Sequence, residues 1–512
     1  MKTKISTLRC IALITLLAAA VTLFALAMPD RLAASSSAQQ HTRYRLIDLG
    51  TFGGPNSFFD GGALAGFNNG GVAAGQADTS TPCSLVDLNS TGFLAPAFMW
   101  KDGKLIMLGV LPGGCDNFPN WINASGMIVG VADLPVIDPL TGVTEVHADF
   151  LYKGQVVDMG TLGGPFSLAN QINSRGQATG FAENTEPDPW DFGGLFLGLP
   201  SPTAYHAFVW QAGVMTDLGT LGGPDSAAFI INDFGQITGF SFANDVPNPI
   251  TGIPTLDPFL WTAGRMIDLG TLGGTMGLGN GLNNRGQVVG SSDLAGDNVS
   301  HAFIWQRGVM TDLGTLGGDN SNAIWVNEAG QVIGRADLAD GTHHAFVWFN
   351  GKMTDLGTVG GDPCSVAEDI NSRGQVIGRS TNCFGTTLHV FLWENGSLID
   401  LSSQVLPGSG FVSIGILSVI NDSGEIIGNA VLPNGDVHAV ILEPDGSATA
   451  PSQAQMTASH SHAASATQRW SNSNTARFES KASTPLERIR NQMRYHYQFP
   501  RLRSSRANQV AE

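Results

Sequence analysis

His206-Ala207-Phe208-Val209-Trp210, Asp217-Leu218-Gly219-Thr220-Leu221-Gly222-Gly223 and Ile231-Asn232-Asp233-Phe234-Gly235-Gln236-Ile237-Thr238-Gly239 are three phrases of one unit, and variants of that unit recur along the chain. The Asp of the second phrase stands at Asp48, Asp158, Asp217, Asp268, Asp312, Asp355 and Asp400, with Met107 in its place in one unit. The Asn of the third stands at Asn68, Asn123, Asn173, Asn232, Asn283, Asn327, Asn371 and Asn421. A period of about 40–60 residues marks a repeat architecture. A residue present in every copy therefore serves the unit's own fold first.

Each unit spells four short strands. His206–Trp210 and Val214–Leu218 flank a tight turn that elsewhere reads Lys101-Asp102-Gly103, Asn350-Gly351 or Asn395-Gly396. Asn-Gly and Asp-Gly accept positive φ at both central positions of a hairpin. Ala227–Ile231 and Gln236–Phe240 flank the Asn-x-x-Gly turn, again with Gly at a left-handed position. The strands are too short and the turns too frequent for helices. A lone meander exposes two faces, and radial packing of such sheets covers both while protecting the edges. The expectation is an all-β chain with one β-propeller over 41–444. The aromatic that follows each first phrase, Trp100, Tyr152, Trp210, Trp261, Trp305, Trp348 or Trp393, then fills the gap between sheets. A parallel β-helix or open solenoid is the structural rival.

The ends carry a closure signal. The first unit begins at its second strand, Tyr44-Arg45-Leu46-Ile47-Asp48, and the last ends with an extra first strand, Val437-His438-Ala439-Val440-Ile441-Leu442. That permutation lets the last strand complete the first sheet, and eight third phrases predict eight blades.

The strict triplets His206-Ala207-Phe208, His301-Ala302-Phe303 and His344-Ala345-Phe346 have degenerate copies at His147-Ala148-Asp149-Phe150, His389-Val390-Phe391 and His438-Ala439-Val440. Pro96-Ala97-Phe98 and Asp257-Pro258-Phe259 lack the His. Over about 44–443 the chain resembles the bacterial extracellular HAF-repeat family, named for this motif. The resemblance implies an exported bacterial protein and carries no assigned catalytic residue.

Other features agree on export. Lys2, Lys4 and Arg9 precede an apolar run from Cys10 to Met28 and then small residues, which predicts a signal peptide over 1–38, with retention as an N-terminal anchor as the alternative. Cleavage sites are read at Ala25-Leu26-Ala27 or Ser36-Ser37-Ala38. Cys83, Cys115, Cys364 and Cys383 remain, an even number with no zinc-like spacing. Cys115 and Cys364 fall between second and third strands, Cys83 and Cys383 after fourth strands. Meander topology puts all four at one end of the sheets, so the expected pairs are Cys83–Cys115 and Cys364–Cys383, with unpaired buried thiols as the alternative.

Residues 35–444 carry 13 Lys and Arg against 38 Asp and Glu, a net of −25. So acidic a body excludes nucleic acid and anionic lipid as its partners and suits cations, basic partners or neutral ligands. The residues after 444 carry 9 basic against 4 acidic, low-complexity at first and then basic, and are read as disordered with a short helix near Pro485 to Tyr495. Membrane contact is left only to an uncleaved N-terminal segment or to this tail.

In a four-stranded meander the Gly-Gly loop and the loop leading to the next unit share one face, where long loops can carry function. Successive Asp-Leu-Gly phrases are spaced 59, 51, 59 and 51 residues apart, then 44, 43 and 45, so insertions crowd into the first half of the repeat. The richest, 181–205, brings Glu183, Glu186, Asp188, Trp190 and Asp191, and its neighbours add Asp133, Asp138, Glu145, Asp245 and Asp257. Carboxylates beside an exposed aromatic suit a sugar ring or a hard divalent cation, and two at the right separation suit glycoside hydrolysis. No nucleophile elbow, phosphate loop or zinc-protease motif occurs, and no cofactor is expected beyond such a cation. The readings are a non-enzymatic propeller that binds an extracytoplasmic glycan or protein or organises the envelope, a carbohydrate-active or other hydrolase, and a purely structural surface protein.

Overall fold

The computed structural model describes residues 42–59, 66–83, 85, 91–197, 201–384, 386–446, 484, 486–488 and 490. The expected signal segment and most of the tail lie outside the described residues.

The repeat folds as its turns dictate. Thr203–Gln211, Val214–Asp217, Ser226–Ile231 and Ile237–Phe242 are strands, and Asn350 and Gly351 take φ of 49° and 82° in the equivalent tight turn. Strands three and four of one unit pair with strands one and two of the next, as in the antiparallel order Ser167–Ile172, Ala178–Pro187, Thr203–Gln211, Val214–Asp217. The same four-strand order repeats through the body. An eight-stranded sheet is two such meanders joined by one parallel bridge, Leu256 to Met276. Antiparallel pairing throughout these meanders rules out the parallel β-helix.

A register shift recurs two to four residues before seven of the eight Asn, for example between Ala228 and Ile230 ahead of Asn232. It presses the neighbouring strand so close that a Cβ on Gly239 would lie 1.9 Å from the Ala227 carbonyl oxygen. Only glycine fits there, which explains the Gly that ends the third phrase.

The invariant Asn links one unit to the next. In Asn232, Oδ1 accepts the amides of Phe234 and Gln236 at 3.0 Å each, closing its own turn. Its Nδ2 donates to the main-chain oxygen of Asn283 at 3.0 Å. Asn68 donates likewise to Asn123, Asn123 to Asn173, Asn173 to Asn232, Asn283 to Asn327, Asn327 to Asn371, and Asn371 to Asn421. Asn421 then donates to Asn68 at 3.4 Å, so the bonds form a cycle. The third strands on the inner edge touch their neighbours in the same order. Trp121 and Trp325, four places apart in that cycle, meet with ring centroids 6.0 Å apart.

The last strand, Val437–Asp445, pairs with both Ile426–Val431 and the first strand, Arg43–Asp48. Arg43 faces Asp445 and Asp48 faces Val440. The aromatics pack as expected: Trp210 is buried against Phe150 at 5.2 Å, and Trp100, Trp305, Trp348 and Trp393 are half-buried against apolar clusters. Both expected disulfides are present, with Cα separations of 6.0 Å for Cys83–Cys115 and 5.1 Å for Cys364–Cys383.

The His and Asp of the repeat meet each other. His206 Nδ1 lies 2.8 Å from Asp217, and His147, His301 and His344 repeat the pairing with Asp158, Asp312 and Asp355. Each Asp also accepts the amide of the Gly two residues on, at 2.7 Å in Asp217, as its place in the turn predicts. His389 departs, pairing with Asp362 instead.

In the closing sheet the clasp joins the two ends of the body, His438 to Asp48 at 2.8 Å. Asp48 holds His438 above the usual imidazole range. Burial works against ionised Asp48, but bonds from His438 and the Gly50 amide bring its carboxyl below the usual range. The His contribution is complete below the unfolded imidazole value and fades as pH rises through the raised one. The Asp contribution is complete above the unfolded carboxyl value and fades as pH falls through the lowered one. Both act together from about pH 4 to about pH 6.5. His438→Ala is therefore expected to lower the melting temperature more at pH 5 than at pH 8.5. Equal losses in thermal melts at both values would reject an ionised clasp.

Candidate functional site

The Gly-Gly loop and the long insertion of the third unit meet where the topology places them, on one face. Between them lies a cleft of about 250 Å³, walled by Gly163, Gly164, Pro165 and Phe166, by Glu183, Asn184 and Thr185, by Ser201, Pro202 and Thr203, and by Asp138, Leu140 and Thr141. Glu183 sits where strand Ala178–Pro187 leaves the sheet, opposite Tyr205, and is 1 % exposed. Its Oε1 accepts the hydroxyls of Ser201 and Thr203. Its Oε2 is buried with no hydrogen-bond partner among the described residues. Burial pushes its carboxyl up, the two hydroxyls oppose this, and Asp138 and Asp188 add like charge. A buried acceptor without a donor is costly, so this oxygen can take a hydroxyl or ammonium donor from a ligand.

The insertion itself is tied down. The Asp188 amide donates to the Pro202 oxygen at 2.9 Å, closing the loop at its base. The Asp188 carboxylate accepts the amides of Trp190 and Phe192 and so starts the short π-helical turn Gly193–Leu197. Phe192 and Phe196 stack at 4.9 Å and drop onto Phe240 at 5.7 and 5.8 Å. Asp191, at φ 52°, accepts the amides of Gly194 and Ser201 at 3.0 Å each.

These contacts fix the surroundings of three sequence-read residues. Trp190 is half-buried against the apolar cluster, with its indole nitrogen buried. Asp188 gives both oxygens to the loop's own amides, and Asp191 gives Oδ1. Asp188 also faces Asp225, whose Oδ2 has no other partner. Burial and the nearby Asp188 push Asp225 up to about 8. One proton between the two carboxyls resolves their like charge.

Of the remaining sequence-read acids Asp138 lines the cleft, whereas Asp133, Glu145, Glu186, Asp245 and Asp257 are not among its lining residues. Glu186 and Asp245 are exposed. Asp257 is on strand Leu256–Thr262, at the place the repeat gives to His, and pairs in register with Ser241. Burial first, then Asp268, raises it to about 7. No group of three or more His, Cys, Asp or Glu among the described residues is arranged to hold a metal ion. Ser201, Thr203 and Asp225 were not singled out from sequence. The signal available was that Asp225 stands two places after Gly-Gly, where other units carry Asn56, Asp116 and Asn320.

No family model and no curated relative matches the chain. Solved structures of β-propeller proteins are similar in part. An acylaminoacyl peptidase from Pyrococcus horikoshii has 13% identity over 67% of this chain and 52% of its own, with a TM-score of 0.40. The chain thus spans about half the length of that relative. The propeller domain of the Trilobed protease from Pyrococcus furiosus has 9% identity over 70% of this chain and 95% of its own, with a TM-score of 0.38. TolB from Acinetobacter baumannii has 12% identity over 64% and 82%, with a TM-score of 0.28. At these scores no activity transfers from them. The chain is all-β, built of four-stranded antiparallel sheets. Two disulfides are present, and no helix among the described residues is long and apolar enough to cross a membrane.

Proposed function

We propose that the chain is an exported HAF-repeat protein whose repeats form one eight-bladed β-propeller, closed by the C-terminal strand, and that it binds an extracytoplasmic ligand without catalysis. The cycle of Asn bonds and the pairing of Arg43–Asp48 with Val437–Asp445 support the ring. The unsatisfied Glu183 oxygen at the cleft carries the binding reading. A hydroxyl-rich glycan or a cationic protein group supplies the donor it lacks, and the acidic body favours the same classes. Hydrolysis of a glycoside needs two carboxyls working on one bond. The second acid of the cleft, Asp138, already holds its own turn through the Thr141 amide at 2.8 Å and the Thr141 hydroxyl at 2.6 Å, which favours binding.

The test is a glycan-array and basic-peptide screen with the secreted body, followed by Glu183→Gln. The change keeps the acceptor for Ser201 and Thr203, so the melting temperature should stay within a few degrees. Affinity for the ligand found should fall about tenfold or more, the scale of one lost charged hydrogen bond. Unchanged affinity would move the site elsewhere.

A further inference from the structure

The same loop face holds a part of the chain that the cleft does not use. Thr484 and Glu487 form a reciprocal helix cap, the Thr484 amide on the Glu487 carboxylate at 2.8 Å and the Glu487 amide on Thr484 Oγ1 at 3.2 Å. From this turn Leu486 packs against the apolar cluster that contains Phe192 and Phe196. The Arg488 guanidinium reaches Asp293 Oδ2 at 3.2 Å and the main-chain oxygen of Asp297 at 2.6 Å. Arg490 Nε donates to the main-chain oxygen of Leu195 at 2.9 Å.

The receiving side is preformed. Asp293 ends a strand, and its side chain is fully buried, against 13 % exposure for that of Arg488. Asp297, at φ 55°, closes a tight turn on the Leu294 oxygen at 2.9 Å, and its own carboxylate holds the Thr275 amide at 2.6 Å. That geometry turns the Asp297 carbonyl toward the arginine. An apolar seat, a buried acid and two fixed carbonyls thus answer a leucine and two arginines two and four residues on. The net charges, −25 for the body and +5 for the tail, point the same way.

We propose that this face carries a peptide-docking site, separate from the Glu183 cleft, for a basic segment of pattern Leu-x-Arg-x-Arg, and that Leu486, Arg488 and Arg490 are its resident occupant. The segment spans the insertion at Leu195 and the turn at Asp297, so it holds two loops of the face together. A tethered occupant competes at high effective concentration. A second basic protein therefore binds only when the tail is displaced.

The experiment uses the full chain. A labelled peptide of residues 484–491 is titrated by fluorescence anisotropy onto the natural protein and onto Arg488→Glu/Arg490→Glu. The double variant, its own tail disabled, should bind the peptide at least tenfold more tightly than the natural chain. A peptide with Glu at both arginine positions should not bind, a control that requires no change in the protein. Adding Asp293→Asn to the double variant should weaken the peptide at least tenfold. Equal binding to both proteins, absence of binding to the double variant, or binding of the Glu peptide would each overturn the proposal.

Discussion

A chain ending at Gly435 is expected to lose its cooperative thermal transition, whereas one ending at Gly446 should melt nearly as the full protein does. The shorter chain lacks Val437–Asp445, which supplies the partner of both Arg43–Asp48 and Ile426–Val431. It also removes Val437, Ala439, Val440, Ile441 and Leu442, all buried. At about 1.5–3 kcal/mol for each large apolar side chain, the burial lost is on the order of 5–10 kcal/mol. That equals most of the ~5–15 kcal/mol that holds a typical domain folded. The first strand loses its only ladder partner and exposes that edge, which adds aggregation to instability. Circular dichroism melts of the two truncations decide the matter. A chain ending at Gly435 with an unchanged melting curve would mean that the ends do not close the body.

The second large effect is expected from the Asn cycle. Asn232→Ala removes the acceptor of two turn amides and the donor to the Asn283 oxygen in one step. Buried groups left without partners cost about 1–3 kcal/mol each, so a loss of ~3–5 kcal/mol is expected in denaturant titrations. Asn232→Asp separates the two functions: it keeps the acceptor and discards the donor, and it should recover part of the loss. If Asn232→Ala and an exposed change such as Phe234→Ala cost the same, the cycle contributes nothing. In an open repeat array such a lesion stays local, because each repeat contacts only its neighbours. Here it interrupts a chain of bonds that returns to its start.

What was legible in the sequence was whatever each unit states for itself. Asn232-Asp233-Phe234-Gly235 and Asn350-Gly351 are turns by local geometry, and the strands follow from the lengths between them. The pairing of Cys83 with Cys115 and of Cys364 with Cys383 was legible because alternate turns of a meander must lie at one end. The pairing of the strands at Tyr44 and Val437 was legible because each lacks a partner within its own unit. Relations between units were not legible. The second bond of each Asn reaches a carbonyl some 50 residues away, as from Asn232 to Asn283, and no local pattern encodes a main-chain acceptor. Trp190 and Asp188 looked like a ligand surface because acids and prolines surround them. Phe192 and Phe196 draw the loop onto Phe240 while Asp188 caps its turn, and no local pattern encodes either contact. Asp257 was read as a loop acid, although it stands in for a histidine, and only the alignment of Asp257-Pro258-Phe259 with the His-Ala-Phe triplets reveals it.

The contact between Trp121 and Trp325 bears on how far such a chain can remain a true repeat. The position two before each Asn is Gly66, Trp121, Gln171, Ile230, Gly281, Trp325, Asp369 or Val419. Elsewhere the copies agree, and here they share almost nothing. In the proposed eight-bladed ring, equivalent side chains related by rotation cannot all occupy the rotation axis: eight large ones collide there, and eight small ones leave a hole. Two opposed tryptophans fill the centre, and the other six places take what room remains. Perfect internal symmetry is thus forbidden on the axis itself, and a sequence that duplicated one unit eight times would have to diverge there before it could pack.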